Sequence, residues 1–309
     1  MTSAITLPLE LEYEIFMFAL RDEVTNPGTL LLVAKRVQSW LIPHVYLTVI
    51  IHPSRIYPPD MSLDAIKHHG HHTRHLFIQY EPEDADQIIE LLPHFPNVSN
   101  LALWHEEIGE EIENILNLAN VTSLSIDLVQ FKEVDLEKDD SEILAEYEDD
   151  PELQQRLVNV KRKGLTFFSR VTHLVISGEV EYAEDMAALK YFTSLTHLGI
   201  PVVNAEALAD VIQTCPRLEL VAFLGGREEE EKDICYFHED VLGVVHDVDI
   251  ELEEIEAQVE GLTGKLVLVL SRQYLAGWEK GARGGEGIWA VAERGVREKI
   301  HAEKSKRTP

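Results

Sequence analysis

Five histidines lie close together between residues 68 and 75, and their imidazole nitrogens are potential metal ligands. They belong to the stretch IKHHGHHTRHL and are His68, His69, His71, His72 and His75. A zinc site needs ligands that converge with a defined geometry. Adjacent histidines on a glycine-containing loop more simply form a polar, hydrated loop, because a tract of this kind is only a compositional hint. We predict a structural role for the cluster and no bound metal or cofactor.

Other residue types that support catalysis do not form a recognisable motif. The glycine-rich stretch GARGGEG, Gly281 to Gly287, lacks the Lys and Ser or Thr that complete a phosphate-binding loop. It reads as a turn between two helices that carry Trp278 and Trp289. The sequence contains no Gly-x-Ser-x-Gly elbow and no His-Glu-x-x-His pattern. Cys215 and Cys235 are predicted to be reduced thiols. Because none of these patterns indicates catalysis, we predict no catalytic residue and a protein that is not an enzyme.

Composition limits the classes of partner. The 309 residues include 55 acidic and 27 basic ones, giving a formal charge of −28, which argues against binding to nucleic acid. Residues 81–155 hold 22 acidic residues and two basic ones. The sequence has no apolar run long enough to span a membrane and no pattern of a signal peptide. We therefore expect no membrane association and a location in the cytoplasm, the nucleus or both.

A short pattern recurs along the chain. Six segments end in an alternating, strand-like triplet: HHTRHLFI, FPNVSNLAL, LANVTSLSI, FSRVTHLVI, FTSLTHLGI and CPRLELVAF. Their matching apolar positions are Leu76, Leu101, Leu124, Leu174, Leu198 and Val221. The steps between them are 25, 23, 50, 24 and 23 residues, so the long step is close to two ordinary ones. His75 fills the polar strand position that His173 and His197 occupy in later segments.

Helix-period segments lie between the strands, at 85–92, 108–118 and 205–212. A repeat of strand, turn and helix with this period resembles irregular leucine-rich repeats, whose stacked units share a continuous core. The predicted class is therefore α/β, with parallel strands on one face and helices on the other. A doubly wound α/β sheet is the competing interpretation, and the constant short period favours the solenoid.

Several segments depart from the repeat. An acidic insertion near 132–163 lies within the long step and suggests an exposed helical excursion, and GREEEEKD at 226–233 is a charged loop that ends the regular repeats. The stretch 265–270 predicts one more buried strand, and 271–300 predicts interrupted helices. The final residues 301–309 are predicted to be disordered.

The N-terminal stretch LPLELEYEIFMFAL, Leu7 to Leu20, has two apolar stripes when it is stepped as a helix. Leu9, Tyr13, Phe16 and Leu20 lie on one side, and Leu11, Ile15 and Phe18 lie on nearly the opposite side. An amphipathic helix on a domain surface needs only one apolar face. A surface other than the one beneath the first stripe must therefore pack against the second stripe.

Residues 7–51 resemble an F-box. The similarity lies in Leu7 and Pro8, in Leu11, Ile15 and Phe16, in the stretch LLLVAKRV, and in Trp40. The stretch LLLVAKRVQSWLIPHVYLTVII, Leu30 to Ile51, looks like a divergent group of fungal F-box-like proteins. The segment YLAGWEKGARGGEGIWAVAE, Tyr274 to Glu293, is similar to a C-terminal segment that recurs in that group.

The resemblance implies a non-catalytic substrate receptor of an SCF-type cullin ubiquitin ligase. The F-box would dock on a Skp-type adaptor, and through it on a cullin scaffold, while the repeats bind a target protein. The implied adaptor contacts are Leu7, Pro8, Leu11, Ile15, Leu31, Val33 and Val37. Trp40 belongs either to this contact or to the core.

The expected organisation has four parts: an F-box-like helical domain at 1–51, an irregular leucine-rich-repeat solenoid at 52–230, a C-terminal strand and helical cap at 231–300, and the tail. Two alternatives stay open. The protein could be a stand-alone leucine-rich-repeat scaffold whose F-box-like segment only caps the solenoid. It could also be a hydrolase or transferase hidden in an α/β fold, which a deep pocket with strongly perturbed titratable groups would indicate.

Overall fold

The structure, a computed structural model, divides into two compact units, Met1–Ser99 and Asn100–Pro309. It describes residues 7–21, 27–53, 55–58, 62–79, 90–104, 112–127, 138–147, 149–177, 188–200, 205–225, 242–243, 266–271 and 274–307. Part of the predictions lies outside these residues, namely most of the first helix-period segment, the charged loop at 226–233 and Cys235.

The first unit begins with three helices and continues into a small sheet. The helices are α1 (Leu9–Arg21), α2 (Pro27–Leu31) and α3 (Lys35–Val45), and a fourth, α4, follows at Leu63–His69. The strands are β1 (Thr48–His52), β2 (Arg55–Tyr57) and β3 (His75–Gln79). The central strand β1 pairs antiparallel with β2 and parallel with β3.

The second unit holds a mostly parallel sheet. Its strands are β4 (Asn100–Trp104), β5 (Ser123–Ile126), β6 (His173–Ile176), β7 (His197–Ile200), β8 (Leu220–Gly225), β9 (Leu242–Gly243) and β10 (Leu266–Ser271). Within this unit their order is β4-β5-β6-β7-β8-β10-β9, with β9 antiparallel to β10 at the edge. The other pairs are parallel. The predicted α/β class is confirmed.

Helices connect and follow these strands. They are α5 (Ile112–Leu116), α6 (Asp140–Glu146), α7 (Pro151–Phe168), α8 (Ala205–Thr214), α9 (Tyr274–Ala282) and α10 (Ile288–Arg307). Parallel strands need crossovers of this kind, because consecutive strands must start at the same edge of the sheet. The crossovers contribute buried apolar side chains such as Ile115, Phe167 and Leu208.

The register of the strands matches the sequence alignment. Leu101 pairs with Leu124, Leu124 with Leu174, Leu174 with Leu198, and Leu198 with Val221. Each of these side chains is at most 1% exposed. The same register occurs in two further pairs, since Val49 pairs with Leu76 within the first unit and Leu266 pairs with Val221 within the second. The predicted strand near 265–270 is thereby confirmed.

The described residues of the long step between β5 and β6 include the helices α6 and α7, and β5 still pairs directly with β6. Helix α6 starts with a capping box, in which Asp139 accepts from the amides of Ser141 and Glu142 while the Glu142 carboxylate accepts from the Asp139 amide. Helix α7 buries Val158, Val160, Gly164, Phe167 and Phe168. The excursion is therefore helical as predicted, but one side of α7 belongs to the core instead of being exposed.

The last two helices cover one face of the sheet in the second unit. The indole Nε1 of Trp278 donates to Asn100 Oδ1 at 3.2 Å, and the Tyr274 ring lies 4.7 Å from the Trp104 ring. On α10, Trp289 packs edge-on against His173 and His197. The strand residues in these contacts lie on one face of the sheet and the aligned leucines lie on the other, because side chains alternate along a strand.

A tight turn joins α9 to α10, as the glycine-rich sequence predicts. Gly284 has a φ of 81°, a conformation that residues with a Cβ rarely adopt. A Cβ on Gly287 would lie 2.7 Å from the Cα of Gly281, so the backbone on the two sides of the turn approaches too closely for a side chain. The glycines therefore serve the geometry of the turn.

Helix α10 continues to Arg307, beyond residue 301, where the sequence analysis places a disordered tail. The sequence HAEKSKR consists largely of residues that extend a helix at little cost once one has started.

None of the described helices combines the length and the apolar character needed to cross a membrane.

Candidate protein-interaction surface

Helix α1 has one face inside the first unit. Acidic Glu10 and Glu12 lie in its first turn, where they interact favourably with the helix dipole. Met17, which is 6% exposed, belongs to a cluster with Val37, Leu41, Val45 and Tyr46 of α3 and its end. The partly buried side chains of Tyr13, Phe16 and Leu20 pack against this cluster. Three residues of the first apolar stripe therefore face a small helical core, whereas the fourth, Leu9, is 54% exposed.

The opposite stripe of α1 lies in solvent. Leu11 and Ile15 are each 53% exposed and Phe18 is 76% exposed. Their spacing of i, i+4 and i+7 places these three residues on one side of α1. Leu7, which is 49% exposed, lies just before the helix. Pro8 is exposed as well. We call Leu7, Leu11, Ile15 and Phe18 the outer stripe.

A second exposed apolar group follows α2. Leu32 is 86% exposed and Val33 is 58% exposed, while Leu31 is half-buried against the helical core. Val37 differs from the other predicted adaptor contacts, because it has no exposed surface and lies inside that core. Its side chain is not available to a partner in this structure. Val37 therefore packs in the core at a position where the resemblance implies a contact with the adaptor.

Polar and aromatic contacts fix α1 on α3. Arg36 Nη2 donates to both carboxylate oxygens of Glu12 at 2.5 Å, and Tyr13 Oη lies 3.3 Å from His44 Nε2. The Trp40 ring packs edge-on against Tyr13 at 5.8 Å. Trp40 therefore acts within the helical core, one of the two roles that the sequence leaves open. The ion pair is largely solvent-exposed, so it orients the helices more than it stabilises them.

Four histidines of the cluster lie at the end of α4 and in the turn that follows it, and His75 begins β3. His71 and His72 have ring centroids 3.9 Å apart, and the His69 ring lies 4.8 Å from Tyr46. Burial lowers the pKa of His69, and neighbouring His68 lowers it further. Within the described residues, no group of three or more potential ligands has a geometry that could hold a metal ion. The rings pack against one another and against Tyr46.

A second pair of histidines lies beneath α10. The rings of His173 and His197 stack at 4.2 Å, and their Nδ1 atoms lie 2.9 and 2.8 Å from the hydroxyls of Thr172 and Thr196. Burial and the neighbouring His197 lower the pKa of His173 to about 4. The pair is therefore neutral at pH 7, and each imidazole contacts a threonine and Trp289, so it behaves as part of the core.

The threonines beside these histidines link one strand segment to the next. Thr172 Oγ1 donates to the carbonyl of Thr122 at 3.1 Å, and Thr196 Oγ1 donates to the carbonyl of Thr172 at 3.0 Å. The amides of the same residues bond the same carbonyls. A hydroxyl at this position thus reinforces the parallel ladder at its starting edge.

Cys215 lies at the end of α8 and is 3% exposed. Burial raises the pKa of its thiol to about 11. A thiol that stays protonated and shielded is a poor nucleophile. It is a free thiol, as the sequence predicts, and it packs as a small apolar core residue.

The sequence did not lead us to predict that α9 and α10 cover one face of the sheet in the second unit. We call this covered face the strand face. A signal for it exists one position after each aligned leucine, at Ala102, Ser125, Val175, Gly199 and Ala222. Small side chains at neighbouring positions of one face allow a helix to approach the sheet closely. At Gly199 an added Cβ would lie 3.1 Å from Val175 Cγ2 and 3.4 Å from the Trp289 ring.

No protein-family model matches the chain, and no curated protein is similar enough to count as a relative. The positions of the described residues therefore carry the functional conclusion.

Proposed function

We propose that the protein is a non-catalytic substrate receptor of an SCF-type cullin ubiquitin ligase. In this proposal residues 7–51 act as an F-box that docks on a Skp-type adaptor, and the later strands form an irregular leucine-rich-repeat solenoid that holds a target protein. The observation that carries the proposal is the exposure of the outer stripe on α1, which no described residue covers. The role requires a location in the cytoplasm, the nucleus or both.

The distribution of exposed apolar residues supports docking at this end of the chain. Ten large hydrophobic side chains are exposed in the described part, and seven of them lie between residues 7 and 33. Exposed apolar groups that cluster in this way mark interaction sites, whereas single ones need no explanation. A partner that buried the outer stripe would gain about 25 cal/mol for each Å² of apolar surface removed from water.

The strand order supports a solenoid for the second unit. Strands β4 to β8 follow one another in chain order, and the aligned positions share one register. A doubly wound sheet instead reverses its strand order at a switch point. In a solenoid each repeat contacts only the neighbouring repeats. A long insertion such as α6 and α7 can therefore lie within one crossover without disturbing the strand order.

Receptor action needs no chemistry by this chain. A receptor raises the effective concentration of its target next to a conjugating enzyme held by the same complex. Because α9 and α10 cover the Asn100 to His197 part of the strand face, we expect target contacts on other surfaces of the repeats.

The test is a calorimetric titration of the full chain with a Skp-type adaptor. We expect micromolar or tighter binding, and a loss of at least tenfold in the variant Leu11→Ala/Ile15→Ala/Phe18→Ala, because truncating a central apolar anchor typically costs about 2 kcal/mol or more. Leu144→Ala is the matched control, since Leu144 is 46% exposed and lies on α6. Absence of binding by folded protein, or equal binding by the triple variant, would refute adaptor docking.

One observation favours the alternative of a stand-alone scaffold with a helical cap. Helix α3 leads directly into β1, and the carbonyl of Leu47 accepts from the amides of Arg74 and His75 at 2.9 and 3.1 Å. Thr73 Oγ1 also donates to the carbonyl of Tyr46 at 2.9 Å. The helices thus close the first strands, as a solenoid cap does. Folded protein that binds no adaptor in the titration would support this alternative.

A further inference from the structure

A depression in the second unit is lined by basic side chains, although acidic residues outnumber basic ones by 55 to 27 in the chain. It has a volume of ≈ 320 Å³. Its lining residues are Leu116, Asn117, Ala119, Arg162, Lys163, Thr166 and Arg170. Among the residues that the structure describes, none of those lining it is acidic.

Helix α7 concentrates the positive charge. The segment from Arg156 to Arg170 contains five basic residues and no acidic one. Arg162, Lys163 and Thr166 lie on adjacent turns of α7, and Arg170 follows two residues after the helix ends at Phe168. The end of α5 and its following turn supply the opposite wall, including the Asn117 amide.

The basic residues of this segment fall into two groups. Arg156, Lys161 and Arg162 form ion pairs with Glu113 or Asp140. In the described part of the chain, Lys163 and Arg170 have no such pair. The Nε of Arg170 is buried and has no hydrogen-bond acceptor there.

A buried donor without an acceptor is unusual, because the great majority of buried polar groups in native proteins are hydrogen-bonded. Arg170 lines the depression, so its side chain is placed to meet an anion bound there. An arginine edge offers two parallel donors to an anion with several oxygens, and a lysine adds a point charge. The Asn117 amide can donate as well.

We propose that this depression binds an oxyanion of the phosphate type, held by Arg170, Lys163 and Arg162. Free phosphate and a phosphorylated side chain of another protein share this chemistry. The inference does not rest on adaptor docking, since the residues involved lie in the second unit and the outer stripe lies in the first.

The test is a titration of the full chain with sodium phosphate at constant ionic strength, followed by amide NMR shifts. We expect saturable shifts, and binding about tenfold weaker in Lys163→Gln/Arg170→Gln, because charged hydrogen bonds are lost. Lys67→Gln/Lys280→Gln removes the same charge from exposed positions on α4 and α9 and should bind as the unaltered protein does. Non-saturable shifts, or equal binding by Lys163→Gln/Arg170→Gln, would overturn the proposal.

Two peptides of one sequence, with and without phosphoserine, distinguish the sources. Tighter binding of the phosphorylated peptide than of phosphate supports a protein-borne anion, and phosphate binding without that gain supports a small free anion. Should the double variant fail to fold, Lys163→Gln alone provides the comparison, since this residue makes no described ion pair. An unchanged affinity in that variant and in Arg170→Lys would also overturn the proposal.

Discussion

The outer stripe of α1 and the strand face of the second unit differ in how they are covered. The strand face packs beneath α9 and α10, which bring Tyr274, Trp278 and Trp289 onto it. The outer stripe presents Leu11, Ile15 and Phe18 to solvent. The chain thus covers one surface with its own helices, whereas the other is exposed in the part of the chain that the structure describes.

The side chains explain this difference. Small residues such as Ala102 and Gly199 let a helix approach the strands, and two tryptophans fill the remaining space. The outer stripe consists of large apolar residues that would need a groove of matching size. The strand face therefore suits permanent packing, and the outer stripe suits the association set out under the proposed function.

The largest effect should come from opening the covered face. Trp278→Ala removes an indole that is 5% exposed and hydrogen-bonded to Asn100. We expect the free energy of unfolding to fall by about 3–5 kcal/mol, because a large cavity replaces the ring. Chemical denaturation followed by circular dichroism measures it. A loss below about 1 kcal/mol would mean that α9 does not pack on the sheet in solution.

Adjacent residues of α1 provide the direct comparison between the two kinds of surface. Met17→Ala should cost about 2–5 kcal/mol, because Met17 is 6% exposed in the helical core. Phe18→Ala should change stability by less than about 0.5 kcal/mol, because Phe18 is 76% exposed. Both are read from denaturation midpoints at equal slope. Similar costs for the two variants would show that the outer stripe is covered within the chain.

The turn between the covering helices tests how closely they must approach. Gly287→Ala places a methyl group 2.7 Å from the Cα of Gly281, so we expect a loss of about 1–3 kcal/mol in unfolding free energy. Gly284→Asn is the control, because asparagine tolerates positive φ and nothing surrounds this position. Its effect should stay within about 0.5 kcal/mol. Equal losses would indicate that the turn depends on φ instead of close packing.

The smallest effect should be the pH response of the covered face. His173 has a pKa of about 4 in the folded protein, whereas an unfolded histidine has one of about 6.5. The unfolded chain therefore binds more protons between these values, and stability falls as the pH drops through that window. Burial also lowers the pKa of the neighbouring His197, and the opposing charges of Glu293 and Glu219 limit that lowering.

The variant His173→Asn isolates this contribution. Between pH 7 and 4.5 the unaltered protein should lose about 1–2 kcal/mol more than the variant. Exposed His68→Asn serves as the control and should follow the unaltered protein. Parallel curves for His173→Asn and the unaltered protein would show that solvent reaches this histidine under α10.

The repeat was predictable because its signal is local. The aligned positions from Leu101 to Val221 recur every 23 or 24 residues, apart from one long step, and each marks a buried strand position. The second stripe of α1 was equally readable, because helical spacing alone separates it from the first. These features depend on residues close together in the chain.

Long-range packing was not predictable in the same way. Trp278 and Asn100 are 178 residues apart, so no periodicity links them. The burial of Val37 also depends on which side of α3 meets α1, and a resemblance between sequences does not decide that. The depression on α7 was not predictable either, because Arg162 and Lys163 lie at the end of the acidic insertion, Arg170 lies beyond it, and the opposite wall comes from the end of α5.

The order of the chain gives the covering helices a consequence for biosynthesis. Strand β8 ends at Gly225 and α9 begins at Tyr274, so roughly 50 residues are made between them. At about 5–20 residues per second, the nascent sheet waits about 3–10 s for Trp278 and longer for Trp289. During that interval its strand face is exposed to aggregation. We expect the emerging protein to engage a ribosome-associated chaperone until the last helices arrive.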